Sequence, residues 1–402
     1  MTPAEGWRGV SWGDLATLEY GKSLRGYQES EGPYRVYGTN GPIGWHSEAL
    51  CPFPSVAIGR KGAYRGVHYS AEPFYVIDTA FFLKPKVELD IKWAYYQLLT
   101  QNINGMDSGS AIPSTSRDDF YSLPVDVPPL EEQRAIAHVL GTLDDRIELN
   151  RRMNETLEAM ARALFRSWFV DYEPVRAKME GRWRPGESLP GLPAHLHPLF
   201  PERLVPSELG DIPEGWEART LGECFDLTMG QSPPGSTYNE KGDGLPFFQG
   251  RTDFGFRYPT NRKFCTAPTR MAEAGDTLVS VRAPVGDINM VWEQCCVGRG
   301  VAALRHKSGS SSYTYYALEA LQPEIRQYEH TGTVFGAITK KQFEALQIGE
   351  PPEAVAFRFD RQALALDEQI REVSGQARIL GALWDVLLPK LLSGEVRIPW
   401  KQ

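Results

Sequence analysis

Cysteine is scarce and unpatterned. The five residues (Cys51, Cys224, Cys265, Cys295 and Cys296) form no Cys-x-x-Cys pair, which argues against a disulfide framework and a zinc site. No apolar run reaches the roughly 18–20 residues of a membrane span. Met1–Val10 has no basic stretch followed by an apolar one, so a cytoplasmic chain without a signal peptide is expected. Catalytic signatures are missing too. There is no GxxxxGK(S/T) phosphate loop, no GxGxxG opening a helix after a strand, and no GxSxG elbow. No lysine follows a glutamate by two residues, so the Glu-x-Lys element of a common nuclease core is absent; Asp90-Ile91-Lys92 only precedes a helix. His195 and His197 lack a cysteine or acidic partner at sensible spacing and read as a surface pair. Cys295 and Cys296 read as buried thiols. No catalytic residue and no metal site is expected. Positive charge is in deficit as well: 43 Lys and Arg face 51 Asp and Glu, a net charge of −8. A chain that binds nucleic acid must then do so through a local cluster.

What the chain does have is a copy of itself. Glu5-Gly6-Trp7 recurs as Glu214-Gly215-Trp216, and Gly13, Leu18, Gly21 and Ser23 recur at the same offset of 209. Phe120, Leu123, Pro128-Pro129, Leu143-Asp144 and Ile147 recur at an offset of 223, so the second copy carries a net 14 residues more. Chance matches would scatter, so two constant offsets mark a tandem duplication of long units. Each unit begins with a Gly- and aromatic-rich part. Ser55–Ile58 and Thr277–Val281 predict strands; Trp93–Leu99 and Tyr313–Leu321 predict helices. The expected class is α+β.

Each unit ends in a long helix. After Pro128-Pro129 a heptad seam runs through Leu143, Ile147, Asn150, Asn154, Leu157 and Leu164. In the second copy it runs through Leu366, Ile370, Val373, Leu380, Trp384 and Leu387. A 3.5-residue period held this long predicts a coiled coil. Two such helices in one chain are expected to pair antiparallel; the plainer reading is that each caps its own globule. The expected segments are a globule at 1–128, a helix at 129–170, a proline-rich extended connector at 171–213, a globule at 214–350, and a helix with its tail at 351–402.

Candidate binding residues lie in basic, glycine-rich loops. Arg60, Lys61 and Arg65 flank Tyr64 in Gly59–Tyr69, without an acid. The second copy offers Arg282 in the matching loop, and Arg251, Arg257, Arg262 and Lys263 nearby. Arginine and lysine reach phosphates or guanine edges, and amides such as Asn40 and Gln249 suit adenine edges. Lys22 and Gln231 are matched in position but differ in kind. Ser116-Arg117 and Lys340-Lys341 stand at the start of matching helices, where free N–H groups suit a phosphate. Singly, each loop also reads as a solvated turn. Together they show a repeated frame with divergent side chains, as two related readers of different sequences would.

The chain resembles the specificity subunit of type I restriction–modification systems. The resemblance covers essentially the whole chain and rests on Leu123–Ile136 (LPVDVPPLEEQRAI), Ser167–Lys178 (SWFVDYEPVRAK) and Leu391–Val396 (LLSGEV). It implies two target recognition domains, each reading one half of a split double-stranded DNA target. These would be joined by two long helices in an antiparallel coiled coil with pseudo-two-fold symmetry. It also implies two methyltransferase subunits docked on the helices and binding S-adenosylmethionine, and separate restriction/translocase subunits using ATP and Mg. This chain would hold no cofactor and do no catalysis. The second copy departs from the family pattern: Pro351-Pro352-Glu353-Ala354 lacks Glu-Glu-Gln. The competing reading is a scaffold of two modules that bind something other than DNA, set apart by a coiled coil; a nuclease with an unrecognised site is a third.

Overall fold

Strands form where branched and aromatic residues alternate with small ones between glycine turns. The computed structural model describes residues 4–27, 31–106, 113–330 and 336–398. Two units emerge: Met1–Arg152 with Ser374–Gln402, and Met153–Val373.

In unit 1 an antiparallel sheet has the order Ala16–Tyr20, Ala80–Pro85, Ser55–Gly59, Val67–Ser70. Unit 2 repeats that order with Phe225–Met229, Val301–His306, Thr277–Ser280 and Ile288–Met290. One helix packs on each sheet, and both are capped the same way. Asp90 accepts the Trp93 N–H at the start of Ile91–Leu99, and Ser310 accepts the Tyr313 N–H at the start of Ser311–Ala320. Such caps satisfy otherwise orphaned N–H groups. Each unit adds a smaller mixed sheet, of three strands in unit 1 and five in unit 2.

The long helices span Leu130–Phe169 and Glu353–Leu392. Prolines precede both, and Glu131, Glu132 and Glu353 place acid in their first turns, where the helix dipole favours it. In unit 1, Ile136 and Leu140 of the first helix share a core with Trp384, Leu387 and Leu391 of the second. In unit 2, Phe165 and Phe169 of the first helix meet Phe359 of the second edge-on, at 5.4 and 5.2 Å. Of the residues expected in a seam, Asn150, Asn154, Ile370 and Val373 are buried; Leu143, Ile147, Leu157, Leu164, Leu366, Leu380, Trp384 and Leu387 are half-buried.

The proline-rich stretch after the first helix is not extended. It folds into a helix (Glu173–Met179), a 3₁₀ turn (Ala194–Leu199) and a hairpin (Leu204–Ser207 with Gly210–Pro213). Trp183, Leu196 and Phe200 bury themselves in the unit 2 core. Their apolar side chains outweigh the extended bias of the prolines. His197 is correspondingly not a surface residue: it is buried edge-on against Trp183 at 4.9 Å, while His195 is exposed.

Candidate nucleic-acid interface

The sheet of unit 1 ends in a rim made by main-chain hydrogen bonds. The Gly59 N–H donates to the Gly66 carbonyl, Arg60 N–H to Thr79, Gly62 N–H to Pro113 and Thr115 N–H to Arg60, at 2.8–2.9 Å. A Cβ on Gly59 would sit 2.3 Å from the Thr39 carbonyl oxygen, so this approach requires glycine. Gly62 has φ of +119°, which also favours glycine. The rim gathers loops far apart in sequence. Tyr20, 47% exposed, has two guanidiniums over its ring: Arg60 at 4.8 Å and Arg117 at 4.7 Å from the ring centre. Arg60 also donates to the Asp78 carbonyl, and Arg117 to that of Leu18. Lys61 bridges to Ser114 and is exposed, as are Lys22, Asn40 and Tyr64.

Unit 2 builds the same rim bond for bond. The Ser280 N–H donates to the Asp287 carbonyl, Val281 N–H to Gly300, Ala283 N–H to Gly336 and Ile338 N–H to Val281. Arg282 bridges to Ala337 as Lys61 bridges to Ser114, so Lys61 and Arg282 are equivalent. The side chains on this shared frame differ. Met229 stands for Tyr20, Val281 for Arg60, Arg299 for Asp78 and Lys340 for Arg117. Arg282, Arg299, Gln231, Lys340 and Lys341 are exposed.

Several expected contacts are engaged elsewhere. Arg65 is buried and donates to the carbonyls of Asn104 and Met106, so it holds a loop together and cannot reach DNA. Arg257 is buried between Glu158 and Asp367 and is likewise no surface contact. The run of positive charge that suggested both residues does not reveal which way each side chain turns. Ser116 spends its hydroxyl on its own helix, accepting the Asp119 N–H; the matching Thr339 forms a capping box with Gln342. Arg251 pairs with Asp287, Arg262 donates to the Thr252 carbonyl, and Lys263 reaches the Gln249 side chain at 3.4 Å. Two rim residues escaped the sequence reading. Tyr20 gave no signal beyond preceding Gly21. Arg299 did: Gly298-Arg299-Gly300 repeats the pattern of a basic residue flanked by glycine.

The residues that carry the family resemblance do architectural work. Glu132, buried, accepts the Trp7 indole N–H at 3.1 Å and pairs with Arg397 at 2.6 Å; Arg397 also donates to the Glu5 carbonyl. Gln133 donates to the Pro128 carbonyl and accepts the Asp90 N–H, both at 3.0 Å. In the second copy Val355 stands for Glu132, and an aromatic contact replaces the charge. Tyr172, in the left-handed region with φ of 52°, meets Trp216 edge-on at 5.5 Å. The loss of Glu-Glu-Gln at Pro351-Pro352 therefore changes the joint, not the fold.

Among the described residues no group of histidine, cysteine or acidic side chains could hold a metal ion, and no helix is long and apolar enough to cross a membrane. A family model described as the type I restriction modification DNA specificity domain matches residues 4–159 and 213–355. A relative in Methanocaldococcus jannaschii, named for the type I restriction enzyme MjaX specificity subunit, is 31% identical over 71% of this chain; the match spans 62% of that relative's length. The type I restriction enzyme HindI specificity subunit of Haemophilus influenzae is 26% identical over 80% of this chain and 81% of its own. The crystal structure of a type I restriction–modification system S subunit from M. genitalium shares the fold, with a TM-score of 0.67 at 19% identity and full coverage of both chains. With both globules and both helix starts inside the matched residues, this chain belongs to the type I restriction–modification DNA specificity family.

Proposed function

We propose that this chain reads a bipartite double-stranded DNA target, one half per globule, and performs no catalysis itself. The observation that carries the reading is the rim: one main-chain frame, present in both units, bearing different exposed cations and amides. A shared frame with divergent side chains suits two readers of different half-targets. Tyr20 with Arg60 and Arg117, together with Lys22, Asn40 and Lys61, serves one half. Arg282, Arg299, Gln231, Lys340 and Lys341 serve the other.

The long helices pair as an antiparallel coiled coil. The start of the first packs with the end of the second in unit 1, and the reverse holds in unit 2; both observations support that pairing. Each long helix has 40 residues and spans roughly 60 Å; in the proposed reading the helices are the spacer between the half-targets. The helices also dock two methyltransferase subunits, which bind S-adenosylmethionine and modify adenine. Restriction/translocase subunits supply the ATP- and Mg-dependent steps, in the cytoplasm.

The test is co-expression with the neighbouring methyltransferase gene product, followed by methylation-sensitive sequencing of host DNA. A modified adenine in a split motif with a fixed unread gap supports the reading. No modification, together with no stable complex with the methyltransferase, refutes it.

A further inference from the structure

One cation in unit 2 has no part in the rim and yet is fully buried. Arg257 donates from Nη1 to Glu158 at 2.8 Å and to the Tyr316 hydroxyl at 3.2 Å, and from Nη2 to Asp367 at 2.7 Å. Its guanidinium lies 3.5 Å from the centre of the Tyr315 ring. Glu158 belongs to the first long helix and Asp367 to the second. Arg257 itself belongs to the loop that follows Gln249 and carries Arg251, Arg262 and Lys263. The loop's main chain is pinned nearby: the Arg257 carbonyl accepts the Met290 N–H, and Gly255 exchanges hydrogen bonds with the Asn289 side chain.

The repeat supplies the comparison. Asp144 and Tyr96 occupy the places of Asp367 and Tyr316, and each tyrosine hydroxyl donates to its aspartate, at 2.6 Å in unit 1 and 3.1 Å in unit 2. In unit 1 the cation facing Asp144 is Lys92, from the short helix already packed there. In unit 2 Ser312 stands for Lys92 and donates to Asp367, and the cation arrives from the 250–263 loop, whose start lies against the rim: the Gly298 N–H donates to the Phe248 carbonyl, and a Cβ on Gly300 would sit 2.3 Å from the Gln249 carbonyl oxygen. The loop lies within the stretch where the second copy is longer than the first.

We infer that Arg257 is a positioning residue that fixes the 250–263 loop, and with it the side of the rim that carries Arg299, to both long helices; among the described residues no such clamp joins a unit 1 loop to both helices, so the reading of one half-target is tied to the helices in a way the other is not. The inference rests on the DNA-reading function proposed above. Its chemistry is that of a planar fork. A guanidinium presents donors to two carboxylates at once with fixed geometry, which a lysine ammonium on a flexible stem does not. A buried ion cluster adds little net stability over neutral packing but leaves a costly bare charge when one member alone is removed.

The test compares the full-length wild-type chain with two variants: Arg257→Lys, and the triple change Glu158→Gln, Arg257→Met, Asp367→Asn, which removes all three charges together. In hydrogen exchange of the isolated chain, both variants should exchange at least about tenfold faster across 250–263, with Thr277–Ser280 unchanged. Unaltered protection, or loss of protection throughout unit 2, overturns the inference. In cells carrying the methyltransferase partner, the variants should relax base preference about tenfold in the half-target read by unit 2 and leave the other half intact. Equal relaxation of both halves, or none, also overturns it. A wild-type chain that directs no methylation would sink the DNA-reading proposal alone, and the exchange measurement would still decide whether Arg257 holds the loop.

Discussion

Arg397 meets a carboxylate that water barely touches, and that contact closes the base of unit 1. Replacing it with alanine leaves Glu132 buried with the Trp7 indole as its remaining side-chain partner among the described residues. The expected cost is about 2 kcal/mol, in the range for hydrogen bonds to charged groups, read as a lower urea midpoint; an unchanged midpoint would show that the contact contributes nothing. Asp144 gives a pH-dependent case. Burial raises its pKa above the usual carboxylate value, against the lowering effect of the Tyr96 hydroxyl and Lys92. Its protonated form is therefore favoured on folding, and the stability it contributes is present below the unfolded pKa and lost as pH rises through the folded one. Asp144→Asn should thus gain on the wild type at pH 7 relative to pH 4; melting curves showing the same difference at both values would refute this. Single residues were the least legible part of the sequence. Arg65 and Arg257 looked like Arg60 and Arg282 because charge and local spacing are blind to the direction of a side chain. Lys61 and Arg282 were recognisable as loop residues, but their equivalence is fixed only by the bridges they make to Ser114 and Ala337.

At the level of elements the long helices were read most fully, since a seam repeated over several turns and prolines before the first turn are both local signals. The stretch after Phe169 was misread as extended for the converse reason. Proline argues against continuing a helix, but Trp183, Leu196 and Phe200 decide that the segment folds back. Trp183 is buried, donates its indole N–H to the Glu187 carbonyl and packs on His197. Trp183→Ala should cost about 3–5 kcal/mol of unit 2 stability, measurable by calorimetry; an extended tether would show no loss. The seam asparagines act in the opposite sense. Asn150 and Asn154 are buried in an otherwise apolar stripe. Changing both to leucine should raise the melting temperature, since a polar seam residue specifies register at a cost in stability. A fall in melting temperature would mean that these amides are stabilising where they stand.

For the molecule as a whole, charge sets the expectation. No segment is net basic and the total is −8, so the isolated chain should hold random DNA weakly and lose it steeply with salt. A nanomolar, salt-insensitive complex would contradict this. On the proposed function, exchanging residues 1–128 for those of a relative should change one half of the methylated motif and leave the other. The duplication itself was legible from constant offsets, and with it the two-unit plan. Which rim side chains would meet a base was not, because groove placement decides that.

The rims are held by main-chain groups, donor to carbonyl, with the side chains left over. Such a frame is indifferent to most codons. Tyr20, Lys61, Arg282 and Arg299 can each change without removing a hydrogen bond of that frame. Divergence of the rim side chains between the two copies then requires no change in the main-chain frame that carries them.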